Sequence, residues 1–151
     1  MYRDYLDTPI GMLEICASEQ GVTHVKFDAT ATDPVQVSAI TQDCRQQLEE
    51  YFAGQRRHFD LPLAPKGTDF QQSIWHQLSQ IPFGETSSYG DIARAVNNPK
   101  AVRAVGAANG RNPLPIVVPC HRVIGSNGTL TGFAGGLNVK AWLLNHEGVE
   151  L

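Results

Sequence analysis

The chain has 151 residues, of which 42% are hydrophobic and 18% are charged, and its formal net charge at pH 7 is −3. A chain of this length can bury one sizeable core or two small ones, and it contains no apolar run long enough to cross a membrane. The negative charge argues against a nucleic-acid-binding protein that depends on a broad basic surface. We therefore expect a soluble globular protein.

The cysteines and the N-terminus indicate a reducing compartment. Cys16, Cys44 and Cys120 lie far apart in the sequence, so they form neither a disulfide framework nor a zinc-binding pair. Cys16 and Cys44 lie in apolar patterns, where we expect small packed side chains. The N-terminus shows no basic segment followed by an apolar stretch, so no export signal is visible. We expect a cytoplasmic protein, nucleoid-associated if the source is prokaryotic.

The first part of the chain predicts a small sheet followed by a helix. Residues 1–28 alternate in short stretches, with turn signals at Thr8-Pro9-Ile10-Gly11 and Glu19-Gln20-Gly21. These signals are typical of an antiparallel sheet. The helix is predicted to begin with Asp33-Pro34 as its cap and first turn and to end at Gly54.

Two prolines within residues 55–66 indicate a linker, so we place a domain boundary at its end. Residues 1–66 would form an N-terminal α/β scaffold domain, and residues 67–151 a C-terminal domain that carries the function. Charge differs on the two sides of this boundary. Residues 1–67 hold six Lys or Arg and ten Asp or Glu, whereas residues 68–151 hold six and five. Any contact with nucleic acid is therefore expected in the second part.

The second part is predicted to be mainly helical. A helical pattern begins at Thr68 and ends before a turn at Pro82-Phe83-Gly84. Ser88-Tyr89-Gly90-Asp91 matches a capping box that opens a helix through Val96, and a second helix is predicted over residues 99–108. Two short helices joined by a tight turn are typical of a helix-turn-helix, although many helix pairs in protein cores share this pattern.

The second of these helices has two contrasting faces when it is drawn at about 100° per residue. The predicted core face holds Ala101, Val102, Val105 and Ala108. The opposite face holds Arg103, Gly106, Ala107 and Gly110. Residues with almost no side chain allow close approach, either to the minor groove of DNA or to another helix. With so few basic residues, DNA binding should be modest in affinity and only weakly dependent on salt.

Cys120 lies where we expect the chemistry. The β-branched residues 116–118 predict a buried strand that Pro119 ends, which places Cys120 at a strand end. A thiol is nucleophilic only as the thiolate, and the adjacent His121 and Arg122 are expected to lower its pKa. The alternative is an inert buried cysteine, which is the commoner fate of a free cysteine.

Several separate strings surround this cysteine in a characteristic order. They are Ile-Pro-Phe-Gly at 81–84, Ser-Tyr-Gly at 88–90, Arg-Ala-Val-Gly at 103–106, Arg-Asn-Pro at 111–113, Pro-Cys-His-Arg-Val at 119–123, Gly-Gly-Leu at 135–137 and Leu-Leu-Asn-His-Glu-Gly at 143–148. In order and spacing they resemble the O6-alkylguanine-DNA alkyltransferases, also called methylated-DNA-protein-cysteine methyltransferases. The resemblance is specific over residues 68–148, whereas the N-terminal part is similar only in length and general pattern.

The resemblance implies a fold and an activity. The fold would be α+β, with a small N-terminal antiparallel-sheet-plus-helix domain packed on a mainly helical C-terminal domain that contains a helix-turn-helix. Such a protein flips O6-alkylguanine out of duplex DNA and transfers the alkyl group to its own cysteine, irreversibly and once per molecule. O4-alkylthymine is a further candidate substrate. The resemblance implies a monomer that binds double-stranded DNA through the minor groove, without a cofactor, metal or membrane.

The resemblance also implies catalytic roles for matching residues. Cys120 would be the nucleophile and alkyl acceptor. His121 would take the thiol proton through a water, and Glu147 would orient the imidazole, as in an acid-His-nucleophile triad. Asn112 matches the asparagine at the turn before the cysteine, where its side chain can bond nearby backbone. Tyr89 would donate its hydroxyl to a ring nitrogen of the flipped guanine and so improve the leaving group.

DNA binding and the alkyl pocket complete the implied site. Arg103 would occupy the space that the flipped base leaves. The DNA-binding residues would be Arg103, Tyr89, Gly106, Ala107 and Arg111, and the pocket would be lined by Pro115, Val123, Phe133, Ala134 and Gly135. For Tyr89 the alternative is a residue that packs in the core at a helix start.

Three other functions compete with alkyl transfer. A cysteine hydrolase would use the same Cys-His-Glu set through a thioester and would turn over. A non-enzymatic damage sensor would bind alkylated DNA, but Cys120 argues against it, because such relatives lack the reactive cysteine. A sequence-specific transcription factor would present several polar side chains to base edges, which the helix over residues 99–108 does not.

The loop of residues 131–136 predicts tolerance of large adducts. Many relatives carry serine where this chain has Ala134, so only backbone donors remain there, while Gly135 leaves room and Pro115 offers an apolar wall. We expect free O6-benzylguanine to inactivate the protein and to add one benzyl group per molecule, measured by intact mass. A protein that stays active and unmodified after this treatment would refute the hypothesis.

Overall fold

The computed structural model describes residues 1–150, and the chain divides into two compact units, Met1–Lys66 and Gly67–Leu151. The first unit confirms the predicted antiparallel sheet, with strands in the order β1-β2-β3 and one helix, α1. Its elements are β1 (Tyr2–Thr8), β2 (Gly11–Ala17), β3 (Val22–Lys26) and α1 (Ala39–Phe52). The core of this unit includes Leu13, Ile15, Leu48 and Tyr51, all fully buried.

The start of α1 corrects the sequence prediction. The helix begins at Ala39, not at Asp33-Pro34, because Ser38 and Thr41 form a reciprocal capping box. Ser38 Oγ accepts a hydrogen bond from the Thr41 amide (3.2 Å), and Thr41 Oγ1 accepts one from the Ser38 amide (2.8 Å). Gln36 instead pairs with Arg3 of β1 through two backbone hydrogen bonds, so the backbone just before Ser38 is not helical. The predicted stop at Gly54 is confirmed by its positive φ of 76°.

The sequence predicts a linker over residues 55–66, but in the structure this segment is bound to the sheet. The Val22 amide donates to the Pro62 carbonyl (2.8 Å), and the Ala64 amide donates to the Val22 carbonyl (2.9 Å), so this segment pairs with β3. Gly21 permits the approach, since a Cβ there would lie 2.6 Å from the Pro62 carbonyl oxygen. The assignment of scaffold and catalytic roles to the two parts of the chain stays a prediction.

The second unit is mainly helical, as predicted, with one two-stranded parallel sheet that the sequence did not indicate. In this sheet Ser87 pairs with Val123 and Ser88 with Ile124. Among residues 1–150, no helix has both the length and the apolarity to span a bilayer. The elements are α2 (Asp69–Leu78), β4 (Ser87–Ser88), α3 (Tyr89–Ala95), α4 (Val102–Gly110), a 3₁₀ helix (Cys120–Arg122), β5 (Val123–Ile124) and α5 (Leu137–His146).

Helix α4 begins later than predicted and buries a different set of side chains. The Ala101 amide donates to the Asn98 carbonyl (3.0 Å), so residues 98–101 form a turn and the helix starts at Val102. Val102, predicted in the core, is 41% exposed, and Asn109 is buried instead. Its opposite face agrees with the prediction in character: Arg103, Ala107 and Gly110 are exposed and Gly106 is half-buried.

The predicted strand over residues 116–118 is a turn. The Val118 amide donates to the Leu114 carbonyl (2.8 Å), and Ile116 adopts a positive φ of 75°, which is rare for a β-branched residue. Prolines at positions 113, 115 and 119 remove the amide donors that a strand ladder would need. The run is therefore buried but not extended, and Cys120 begins a 3₁₀ helix rather than ending a strand.

The capping box predicts that alanine substitutions at the two candidate helix starts have different effects on stability. Ser38→Ala should lower the free energy of unfolding by about 1 kcal/mol, because it removes the cap of α1. Asp33→Ala is the control and should change it by less than about 0.5 kcal/mol, since the exposed Asp33 side chain does not cap the helix. Urea denaturation measures both, and a larger loss in Asp33→Ala would contradict the assigned start.

Candidate active site

Cys120 is buried at the start of the 3₁₀ helix, with 4% of its surface exposed. Its amide donates to the Val118 carbonyl (2.8 Å), which holds the cysteine against the preceding turn. The parallel pairing of β4 and β5 then links the chain just after the cysteine to Ser88, the N-cap of α3. The nucleophile predicted from the sequence therefore lies on a backbone that is fixed on both sides.

The side chain of Asn112 braces the turn before the cysteine. Its Nδ2 donates to the Val118 carbonyl (2.8 Å), and its Oδ1 accepts from the Leu114 amide (2.9 Å). These two bonds close the turn that carries Ile116 in its positive-φ conformation. A side chain with only a donor or only an acceptor could form just one of these two bonds.

Glu147 connects the two residues that follow Cys120. The carboxylate sits at the C-cap of α5 and is 5% exposed. Its Oε2 accepts from His121 Nε2 (2.7 Å), while Arg122 donates Nε to Oε1 (2.7 Å) and Nη2 to Oε2 (3.1 Å). Arg122 also donates Nη1 to the Ile81 carbonyl (2.7 Å) and lies over the ring of Phe83. Each of the three guanidinium nitrogens of Arg122 thus donates a hydrogen bond within this buried network.

Electrostatics in this network keep Glu147 charged and His121 neutral. Burial alone would raise the pKa of Glu147, but hydrogen bonds from His121 and Arg122 outweigh it and hold the pKa at about 2. Burial lowers the pKa of His121, and the hydrogen bond to Glu147 opposes this shift. Nδ1 of His121 is buried and has no hydrogen-bond partner among residues 1–150. With Nε2–H bonded to the carboxylate, Nδ1 carries the free lone pair.

The thiol itself is protonated in the resting protein. Burial raises the pKa of Cys120 to about 11, against opposing effects of the Asn112 side chain, Lys140 and nearby backbone amides. His121 and Arg122 were predicted to lower this pKa, but Nε2 of His121 and Nε of Arg122 bond to Glu147 instead. Proximity in the sequence therefore did not identify the groups that lower the pKa of Cys120.

Lys140 is a functional candidate that sequence reasoning missed. Its side chain is fully buried, Nζ donates to the Thr131 carbonyl (3.3 Å), and the ammonium lies 6.0 Å from the ring centre of Phe133. Burial lowers the pKa of Lys140, and the charge of a Cys120 thiolate would raise it. A signal was present, because Lys140 shares a face of α5 with Leu143, Leu144 and Glu147 at helical spacing.

Tyr89 contacts Thr131, the same loop residue that Lys140 contacts. Its hydroxyl shares a hydrogen bond with Thr131 Oγ1, and its ring lies beside Gly106, where a Cβ would be 3.9 Å away. The half-buried tyrosine is therefore placed between α4 and the loop, and Thr131 joins it to Lys140. Thr131 had no role in the sequence analysis beyond its place in the loop.

The remaining predicted site residues differ in how far they are exposed to solvent. Arg103 and Arg111 are exposed, as expected of side chains that meet DNA. Among the predicted pocket residues, Pro115 and Val123 are buried, Phe133 and Gly135 are half-buried, and Ala134 is exposed. The structure thus joins His121 to Glu147 by a hydrogen bond, with Cys120 next to His121 in the chain, whereas the exposed Arg103 and Arg111 take no part in this network.

Comparison with known proteins identifies the group to which this site belongs. Residues 69–149 match the DNA-binding domain of 6-O-methylguanine DNA methyltransferases, and residues 1–65 match the ribonuclease-like domain of the same proteins. The chain belongs to this family. A methylated-DNA–protein-cysteine methyltransferase of Methanosarcina acetivorans is 48% identical over 98% of this chain and 99% of its own length. The family, the α+β fold class and the methyltransferase activity predicted from the sequence are confirmed.

Two solved structures of similar proteins contain DNA. The Mycobacterium tuberculosis OGT in complex with DNA is 44% identical, with a TM-score of 0.89 over 97% of this chain and 92% of that one. An S. pombe protein solved in complex with damaged DNA containing O6-carboxymethylguanine is 36% identical, with a TM-score of 0.51 over 56% of this chain and 81% of that one. A protein with this fold, and a second one that shares part of it, have thus been solved with DNA bound.

The charge of Glu147 predicts an acid-sensitive contribution to stability. Its native pKa of about 2 lies below the ordinary value of 4.5. The contribution is therefore fully present above about pH 5 and is lost as the pH falls toward 2. The difference between the two pKa values corresponds to about 3 kcal/mol. Between pH 5 and pH 2 the free energy of unfolding of Glu147→Gln should therefore fall by about 3 kcal/mol less than that of the wild type.

Urea denaturation between pH 7 and pH 2 measures this effect. Glu150→Gln is the matched control, because Glu150 is an exposed carboxylate at the same end of the chain. The control should follow the wild-type profile. A Glu147→Gln variant with the wild-type pH dependence would show that this carboxylate is not the group that titrates.

Proposed function

We propose that Cys120 accepts the alkyl group of O6-alkylguanine in DNA in one displacement. The Cys120 sulfur attacks the alkyl carbon, a C–S bond forms as the C–O6 bond breaks, and the guanine leaves as its anion until it takes a proton. The observation that carries this proposal is the buried Cys120 directly beside His121, whose Nε2 lies 2.7 Å from Glu147 Oε2. The product is a thioether, which water does not readily cleave, so each molecule reacts once.

His121 is the base that removes the thiol proton. Because Glu147 stays anionic and accepts from Nε2–H, the lone pair is on Nδ1, which lacks a partner among residues 1–150. The proton passes from Cys120 to Nδ1, through a water as the family resemblance implies. Glu147 then stabilises the imidazolium that forms, and Arg122 keeps Glu147 in place.

Lys140 and Asn112 favour the thiolate once the proton has left. The charge of Lys140 and the side chain of Asn112 both act to lower the pKa of Cys120 against its burial. In a site from which water is excluded, such fixed groups are worth more than in solution. Both groups are in place before the substrate binds, so they stabilise the thiolate as soon as it forms.

The exposed face of α4 is the proposed DNA contact. Arg103 is exposed beside the small residues Gly106 and Ala107, which allows the helix to enter the minor groove while the arginine takes the place of the extruded base. Arg111 would contact the backbone beyond the helix. The DNA complexes of the Mycobacterium tuberculosis and S. pombe proteins support DNA as the partner.

Tyr89 acts on the flipped guanine. Its hydroxyl would donate to a ring nitrogen and stabilise the charge that develops on the base. The exposed Ala134 and half-buried Gly135 leave space next to the reacting group, with Pro115 and Val123 as buried wall and Phe133 at the edge. This space would accommodate adducts larger than methyl, and also O4-alkylthymine. Monomeric state and cytoplasmic location stay predictions.

Intact mass tests the proposal after incubation with a duplex that contains one O6-methylguanine. We expect one added methyl group per molecule, mapped by peptide analysis to Cys120. Cys120→Ser should abolish the transfer, because a serine hydroxyl is far less nucleophilic than a thiolate. Cys16→Ser and Cys44→Ser are the controls, since both cysteines belong to the first unit and are buried there.

Two outcomes would contradict the proposal. Tight binding of the duplex without any change in mass would indicate a damage sensor, and equal losses in all three cysteine variants would remove the assignment to Cys120.

A further inference from the structure

The hydroxyl groups of Tyr89 and Thr131 share a hydrogen bond that ties the start of α3 to the loop before α5. These residues are 42 positions apart in the sequence, so the contact depends on the tertiary fold. Both side chains are half-buried, and a hydroxyl in that environment gains from a fixed partner. Each of the two groups has one hydrogen to donate, so only one of them can donate to the other.

Thr131 is held from its other side by Lys140. The Thr131 carbonyl accepts a hydrogen bond from Lys140 Nζ at 3.3 Å, and Lys140 is fully buried on α5. The same lysine interacts electrostatically with Cys120. Thr131 is therefore fixed through its backbone near the nucleophile and presents its side-chain hydroxyl to Tyr89.

We propose that Thr131 is a positioning residue, whose hydroxyl donates to the Tyr89 oxygen and so directs the Tyr89 hydrogen to the flipped guanine. This inference rests on the proposed function, in which Tyr89 donates to the base. A tyrosine oxygen that accepts from Thr131 has its own hydrogen free for the substrate, and a chain of two hydrogen bonds strengthens the second one. Without Thr131 the phenol O–H is free to rotate away from the base.

The geometry also separates the two functions of Thr131. Its carbonyl holds Lys140 and its hydroxyl holds Tyr89. Valine has nearly the shape of threonine but no hydroxyl, so Thr131→Val removes the contact with Tyr89 and keeps the backbone carbonyl for Lys140. Thr131→Ser keeps the hydroxyl and loses only a methyl group, and it is the matched control.

The experiment measures methyl transfer from an O6-methylguanine duplex under single-turnover conditions with the protein in excess. It gives the maximal rate constant and the protein concentration at half-saturation for the wild type, Thr131→Val, Thr131→Ser, Tyr89→Phe and the Thr131→Val/Tyr89→Phe double variant. We expect Thr131→Val to lower the maximal rate constant by about 10-fold, the effect of one oriented hydrogen bond, with half-saturation unchanged. Thr131→Ser should recover the rate.

The double variant separates positioning from a general structural effect. If Thr131 acts through the Tyr89 hydroxyl, Thr131→Val has no further effect once Tyr89 is phenylalanine. An equal loss in both backgrounds would overturn the inference, as would a Thr131→Val rate equal to or above that of the wild type. A wild-type protein that never transfers methyl to Cys120 would overturn the proposed function instead, and this result is distinct from all of the others.

Discussion

A single buried carboxylate, Glu147, holds the reactive region together. It accepts hydrogen bonds from His121 and Arg122, which lie 26 and 25 residues before it in the sequence. Loss of one partner from a buried charge pair costs several kcal/mol, so the end of α5 and the 3₁₀ helix are strongly constrained to meet. Because His121 follows Cys120 directly, the same constraint fixes the imidazole beside the thiol. The interaction that stabilises this unit is thus also the one on which the proposed chemistry depends.

Features that depend on neighbouring residues could be predicted from the sequence. The capping box at Ser88 was recognised because its two partners are three residues apart, and the end of α1 at Gly54 because a positive φ favours glycine. Local chemistry is enough in these two cases, because the signal does not depend on how distant segments pack. Cys120, His121 and Glu147 were predicted from strings that resemble the family, and their catalytic roles stay predictions.

Features that depend on tertiary contacts could not be predicted. Asp33-Pro34 has the composition of a helix start, but the backbone of Gln36 pairs with Arg3 of β1, and Ser38 caps the helix. β-branched side chains favoured a strand before Cys120, yet three prolines and the Asn112 side chain impose a turn. Composition described the burial of these residues correctly, whereas their backbone conformation was decided by hydrogen bonds to residues elsewhere in the chain.

Burial of Cys120 has a consequence for a protein that can act only once. Because burial raises its pKa to about 11, Cys120 is a neutral thiol in nearly all molecules at pH 7. Oxidation and reaction with stray electrophiles both follow thiolate content and exposure, so the resting cysteine is chemically quiet. An exposed, permanently ionised thiol would be consumed by peroxides or by soluble alkylating agents. Keeping the acceptor inside the fold reserves it for the lesion.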